Sequence, residues 1–235
     1  MLLYTISKQL NRHLEMKRHR FKMQERHITF LLIALLTTTL QAQNVILQTG
    51  DVLFRESAES SLSKAIDAVT QTDKATHFSH MGLIEIVGDS IFVLHADTEG
   101  GSCKIGLREF IYPPSDSIPQ ARTVIAYRLK QDYQKAIPNA INKAKTMLGK
   151  PYNFSYVMND SSYYCSGFVY RAFANDSIFK LSPMTFKDPD SGKFNPSWIA
   201  FYKELGMDVP EGQLGCNPNG MAASEKLMVL GRVRL

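Results

Sequence analysis

The chain has 235 residues, 44% of them hydrophobic, with ordinary Gly and Pro content; this suits one globular domain with a sizeable core and excludes a disordered or fibrous chain. Its net charge of +5 is concentrated at the start, where Lys8, Arg12, Lys17, Arg18, Arg20, Lys22 and Arg26 all precede Ile28. The remainder is close to neutral, so the basic balance gives no ground for nucleic-acid binding.

The first predicted element is a leader. The basic stretch runs into the apolar segment Ile28 to Leu36 and continues through Thr37, Thr38 and Thr39 to Leu40 and Gln41-Ala42-Gln43. A basic n-region, a short apolar region and a small exit residue describe a secretory signal, with cleavage expected after Ala42. The apolar run is short for a membrane span, which needs roughly 20 residues. No cysteine follows it, so no lipoprotein anchor is expected; an uncleaved N-terminal anchor is the alternative. The region before Arg18 is long for an n-region, and a start at Met16 or Met23 would shorten it. Residues 1–42 are therefore set aside as signal, and residues 43–235 are expected to form a single periplasmic or secreted domain, with no membrane span after cleavage.

The remainder has an α+β pattern. Val45 to Leu47 and Asp51 to Phe54 form a short strand broken at Gly50, and Leu62 to Val69 has helical spacing behind Ser60 or Ser61 as cap. Met81 to Val87 and Ile91 to Ala96 are strands joined by the tight-turn pair Gly88-Asp89. Val124 to Leu129 is a strand, and Tyr133 to Leu148 a helix with Pro138 near its first turns and Gly149 at its end. Cys165 to Ala174 is an apolar helix, and Leu181 to Asn195 a loop rich in Pro and Asp. Pro196 to Leu205 is a helix capped by Asn195, and Leu227 to Val233 a closing strand. The loops Tyr112 to Pro119 and Asp208 to Gly220 are placed to border a cleft.

The hairpin makes a geometric prediction. With Val87 opposite Ser90, paired residue numbers keep a constant sum, so His95 faces Gly82 and Asp97 faces His80. Side chains alternate across a strand, so His80, Gly82, His95 and Asp97 share one sheet face. His80 and His95 become diagonal neighbours, and Gly82 leaves room for their rings. A bulge or a one-residue slip within the hairpin would destroy the arrangement. Glu85 points to the opposite face, and His77 is a loop residue.

These residue types carry a chemistry. A cysteine at a helix start has free amides and the positive end of the helix dipole beside it, which favour a thiolate and an oxyanion. Cys165 is the candidate nucleophile, His80 its general base and His95 the group that orients the base, with Asp97 in reserve for that role. Each has a plainer alternative: a buried structural cysteine, a satisfied core histidine and a half-buried strand residue. Cys165, His80 and His95 could also ligate zinc, but no pair has the close spacing of a structural site, and no metal or other cofactor is expected. Walker, dinucleotide-binding and serine-elbow patterns are absent from the sequence. Three cysteines leave the pairing open: Cys103 and Cys216 could form a disulfide with Cys165 free, or all three could be reduced.

Together these segments resemble the NlpC/P60 superfamily of papain-like cysteine hydrolases. The superfamily's Gly-x-Pro-Tyr and Asp-Cys-Ser-Gly stretches resemble Gly149-Lys150-Pro151-Tyr152 and Tyr164-Cys165-Ser166-Gly167. Its His-Val-Gly strand resembles His80-Met81-Gly82, and the end of its next strand resembles His95-Ala96. Here the histidines precede the cysteine, and Tyr164 replaces the acidic residue before it. Both departures resemble the circularly permuted YiiX-like branch, and the inverted order is shared with lecithin retinol acyltransferase-like proteins. The resemblance implies a papain-like fold in permuted order, an antiparallel sheet packed against helices, and catalysis by Cys165, His80 and His95. It also implies that Tyr152 lies near the oxyanion or substrate, where Tyr164 and Ser166 are further candidates. The implied activity is amide hydrolysis through an acyl-enzyme, with a peptide or amide substrate such as a peptidoglycan fragment. The alternatives are a lipid amidase, esterase or acyltransferase acting on lipid amides, its acyl chain admitted between the loops Tyr112 to Pro119 and Leu181 to Asn195, and a binding module without turnover.

Overall fold

A computed structural model describes residues 45–56, 61–114 and 121–235. The leader, Ser60 and positions 115–119 of the first cleft loop lie outside the described residues. Among the described residues a six-stranded antiparallel sheet runs in the order β4-β3-β2-β1-β5-β8. Its strands are β1 (Val52–Glu56), β2 (Phe78–Val87), β3 (Ser90–Asp97), β4 (Gly101–Gly106), β5 (Val124–Leu129) and β8 (Leu227–Arg232). The helices are α1 (Ser61–Val69), α2 (Leu107–Ile111), α3 (Ile137–Thr146), α4 (Cys165–Ala172), α5 (Pro196–Glu204) and α6 (Pro218–Ala222). A two-residue pair, β6 (Ser182–Pro183) with β7 (Leu214–Gly215), ties the long loop to the segment before α6.

The sheet has two apolar faces. Met81, Leu83, Leu94 and Ala96 pack with Phe168 and Val169 of α4. Leu53, Ile84 and Val93 pack with Leu107, Phe110 and Ile111 of α2. A fully buried phenylalanine such as Phe168 contributes about 2–3 kcal/mol of transfer free energy, so its contact fixes how α4 lies on the sheet. Asp51, 1% exposed, anchors the entry to β1 through a two-point ion pair with Arg128 at 2.7 and 2.8 Å.

Several sequence expectations shift. Val45 to Leu47 lies outside any strand. The predicted helix from Tyr133 divides into a 3-10 turn, Gln131–Ala136, and α3, because Pro138 belongs in a first turn. The cysteine helix stops at Ala172 and passes into a 3-10 turn, Ala174–Asp176. β4, α2 and α6 lie where no element was expected.

Candidate active site

The hairpin register agrees with the expectation. Val87 pairs with Ser90, and the pairing continues without a slip to Leu83 opposite Leu94. Gly88 makes the turn with φ +56°, a left-handed conformation that glycine adopts without strain. At Gly82 a Cβ would come 2.4 Å from Val93 Cγ1 and 3.2 Å from the His95 Cβ, so glycine is what lets the His95 strand lie this close.

His80 and His95 meet as a result. His80 Nε2 lies 2.9 Å from His95 Nδ1 and 3.7 Å from Asp97 Oδ2. The two rings are edge to face, and each lies 5.5 Å from the Phe110 ring of α2. Both histidines are buried. Burial pushes the His80 imidazole well below its ordinary pKa, helped by the Arg55 and His95 charges. Burial also lowers His95, to about 4, against the pull of Asp97. With Nε2 engaged, Nδ1 is the His80 nitrogen left for proton transfer.

Cys165 arrives from the other sheet face at the tip of α4. Tyr164 caps this helix without a side-chain hydrogen bond, so the first-turn amides remain free of a side-chain cap. Cys165 Sγ donates to the Ser79 carbonyl at 3.8 Å, next to the backbone of His80. Ser79 is the extra residue of a bulge: Arg55 pairs with His80, and Glu56 with Phe78. Such bulges redirect a strand end, and this one lies in the β1–β2 pairing, outside the hairpin register. Asn219, fully buried, fixes the same strand end by accepting from the Phe78 amide at 2.8 Å and from Thr76 Oγ1 at 3.0 Å.

The expectation that Cys165 has a depressed pKa is corrected. Burial pushes its thiol up to about 12, outweighing the hydrogen bond from the Ser166 amide. Desolvation of a thiolate costs more than one helix terminus returns, typically 0.3–1 kcal/mol. Thiol and imidazole are therefore both neutral at rest. Asp97 and Arg55, which flank His80, also act on the Cys165 charge.

The three substrate candidates differ. Tyr152 lines the Cys165 groove, and burial raises its hydroxyl pKa. The other two hydroxyls are tied to Cys216. Ser166 Oγ donates to its carbonyl at 3.0 Å, and Tyr164 Oη accepts from its amide at 3.2 Å. What faces the thiol is the Ser166 backbone amide. The Tyr164 ring would lie 2.9 Å from a Cβ at Gly167, so the space at that glycine holds this ring.

An open groove lies beside Cys165. Its walls include Tyr156, Trp198, Phe186 and Met184, and among the described residues no charged side chain lines it. Residues 182–186 and 216–218 border it, as expected of the loops that contain them. Pro113 and Pro114 border a different pocket, with Arg55, His95, Asp97 and Cys103.

Glu85 lies on the opposite face, paired with Lys104 at 2.9 Å and with Lys145. His77 precedes β2 and contacts Asp67 at 2.9 Å. All three cysteines are free: Cys103 Sγ lies 3.3 Å from His95 Nε2, and Cys216 Sγ lies 3.6 Å from Tyr164 Oη. His80, His95 and Asp97 offer donor atoms within 4.8 Å of one another, enough in number for a divalent ion. The two imidazole nitrogens concerned are hydrogen-bonded to each other, and the Arg55 guanidinium stands 3.9 Å from Asp97. Those contacts already pair the donor atoms with one another and with the Arg55 cation. Sequence reasoning missed Arg55 and Asn219, which reach the site from distant segments, and the place of Cys103 beside His95 on the neighbouring strand.

Residues 46–231 match the family described as permuted papain-like amidase enzymes, YaeF/YiiX, C92 family. The chain is 34% identical over 128 residues to the uncharacterized protein YiiX of Escherichia coli strain K12. That match covers 54% of this chain and 58% of the relative, so the chain spans less than two thirds of that protein. A solved structure titled "metalloprotein yiiX" from Escherichia coli O157:H7 aligns with a TM-score of 0.60 and 25% identity. The alignment covers 79% of this chain and 97% of that one.

Proposed function

This chain belongs to the YaeF/YiiX (C92) family of permuted papain-like amidases, and on that premise we propose that Cys165 is its nucleophile, His80 the general base and His95 the residue that orients the base. The family is one of cysteine hydrolases, which sets aside the binding-module alternative. The observation that carries the assignment is the 2.9 Å contact between His80 Nε2 and His95 Nδ1. It leaves His80 Nδ1 outside that contact, on a residue whose preceding carbonyl touches the Cys165 thiol.

The steps follow from a neutral pair. Sγ attacks the substrate carbonyl carbon while its proton passes to His80 Nδ1, a transfer typically worth 10²–10⁴-fold in rate. The Ser166 amide, at the uncapped helix start, donates to the oxyanion. The tetrahedral intermediate then collapses: the C–N bond breaks, and His80 gives its proton to the departing amine. Its lowered pKa makes the imidazolium a strong acid for that step. Water then attacks the thioester, His80 takes the proton of that water, and the carboxylic acid leaves as the thiol is restored. The neighbour's title calls that protein a metalloprotein, but no step here is routed through an ion.

The groove bears on the substrate. Peptidoglycan peptides carry carboxylates and amines, and among the described residues the groove presents no charged partner to them. An aromatic and apolar lining beside the nucleophile instead suits an amide with an uncharged, apolar acyl group. Long-chain acyl amides and muropeptides, offered side by side, test this. Release of fatty acid supports it, and release of new amino termini from muropeptides alone contradicts it. Export is part of the proposal and rests on the leader pattern of residues 1–42. A mature amino terminus at Gln43 in an envelope fraction supports export, and a retained leader contradicts cleavage.

A further inference from the structure

Beyond the dyad and its orienting histidine lies a fourth group. Cys103 stands opposite His95 in the β3–β4 pairing, and its sulfur lies 3.3 Å from His95 Nε2. It borders a pocket that also contains Arg55, Asp97 and Glu109 and is separate from the Cys165 groove. We propose that Cys103 is a positioning residue: its sulfur accepts the Nε2 proton of His95 and so holds His80 in the tautomer that can act as a base. This rests on the assignment of His80 as general base.

The protons along this line of three residues can be counted. Burial keeps both imidazoles neutral, so each ring carries one N–H. Only one proton can occupy the 2.9 Å contact between His80 Nε2 and His95 Nδ1. If it belongs to His80, then His80 Nδ1 has a free lone pair and can take the thiol proton. His95 Nδ1 is then the acceptor, so the His95 proton sits on Nε2 and points at Cys103 Sγ. If it belongs to His95, the order reverses. The Cys103 thiol donates to His95 Nε2, and the His80 proton sits on Nδ1, where it blocks the base. The same residues thus support a competent and a blocked arrangement.

Asp97 breaks the tie. Its Oδ2 lies 3.7 Å from His80 Nε2, closer than the 3.9 Å to the Arg55 guanidinium that pairs with the same oxygen, so its charge favours a proton there. Cys103 then completes the line by accepting from a buried N–H that would otherwise lose its hydrogen bond. Cys103 does not touch substrate in this scheme; it acts only through His95.

Histidine ring ¹⁵N spectra decide the matter directly, since protonated and free ring nitrogens resonate far apart. In the parent protein both His80 and His95 are expected with the proton on Nε2. Cys103→Ala is expected to move His95 toward the Nδ1–H form and to lower kcat about fivefold with KM unchanged, the effect of one modest hydrogen bond. Cys103→Ser restores an acceptor and is expected to recover both. A parent spectrum with His95 protonated at Nδ1 overturns the proposal. So does a folded Cys103→Ala protein whose tautomers and kcat match the parent. If Cys103→Ala fails to fold, the parent and Cys103→Ser spectra still decide. The tautomer readout needs no substrate, so its failure is distinct from a failure of the hydrolase assignment, which Cys165→Ala turnover reports.

Discussion

Two histidines buried in the neutral form make this fold sensitive to acid in a specific window. The His95 pKa is lowered from 6.5 to about 4, so the unfolded chain takes up a proton that the native state refuses. The sign follows from linkage. Stability is complete above about pH 6.5, falls as the pH drops toward 4, and levels off once native His95 also protonates. A displacement of that size is worth about 3 kcal/mol, and His80, lowered in the same direction, adds to the loss. Urea unfolding at about pH 7.5 and about pH 4.5 measures the difference, and His95→Asn supplies the control. The parent is expected to lose about 3 kcal/mol between these conditions and the variant correspondingly less. Equal losses in parent and variant, or a His95 ring that titrates near 6.5 by NMR, would refute the burial argument.

Two further outcomes follow from the neighbours of the pair. The Arg55 cation lowers His80 and His95, so Arg55→Gln should move the acid limb of the kcat/KM profile to higher pH; a limb that stays in place would show the cation to be screened. Gly82→Ala places a methyl 2.4 Å from Val93 Cγ1 and 3.2 Å from the His95 Cβ. It should cost about 1–3 kcal/mol in thermal unfolding and reduce turnover by displacing His95; an unchanged Tm would contradict the tight packing.

The part of the site carried by the β2–β3 hairpin was legible in the sequence because a two-residue turn sets its register. Once Gly88-Asp89 is recognised, His80, His95 and Asp97 fall on one face by counting, and the bulge at Ser79 lies in a different pairing. The cysteine helix was legible from its apolar run. Arg55 and Cys103 were not, because they reach the pair through β1 and β4. The β1–β2 register depends on long-range pairing, and Gly101–Gly106 is a short strand with glycine at both ends, a weak signal in the sequence. The thiol pKa was misjudged for a related reason: the helix start is visible in the sequence, but the burial that outweighs it is a property of the assembled fold. The uncharged groove likewise forms only when Tyr156, Phe186 and Trp198 converge from separate segments.

Turnover on this reading loads the acyl group onto Cys165. Trapping the protein with a slowly hydrolysed apolar acyl amide, followed by peptide mass spectrometry, tests it most directly. The account predicts a thioester on the peptide containing Cys165, its loss in a folded Cys165→Ala variant, and formation at least about 10²-fold slower in His80→Ala. An acyl group found on Cys103 or Cys216, or full turnover by Cys165→Ala, would contradict it.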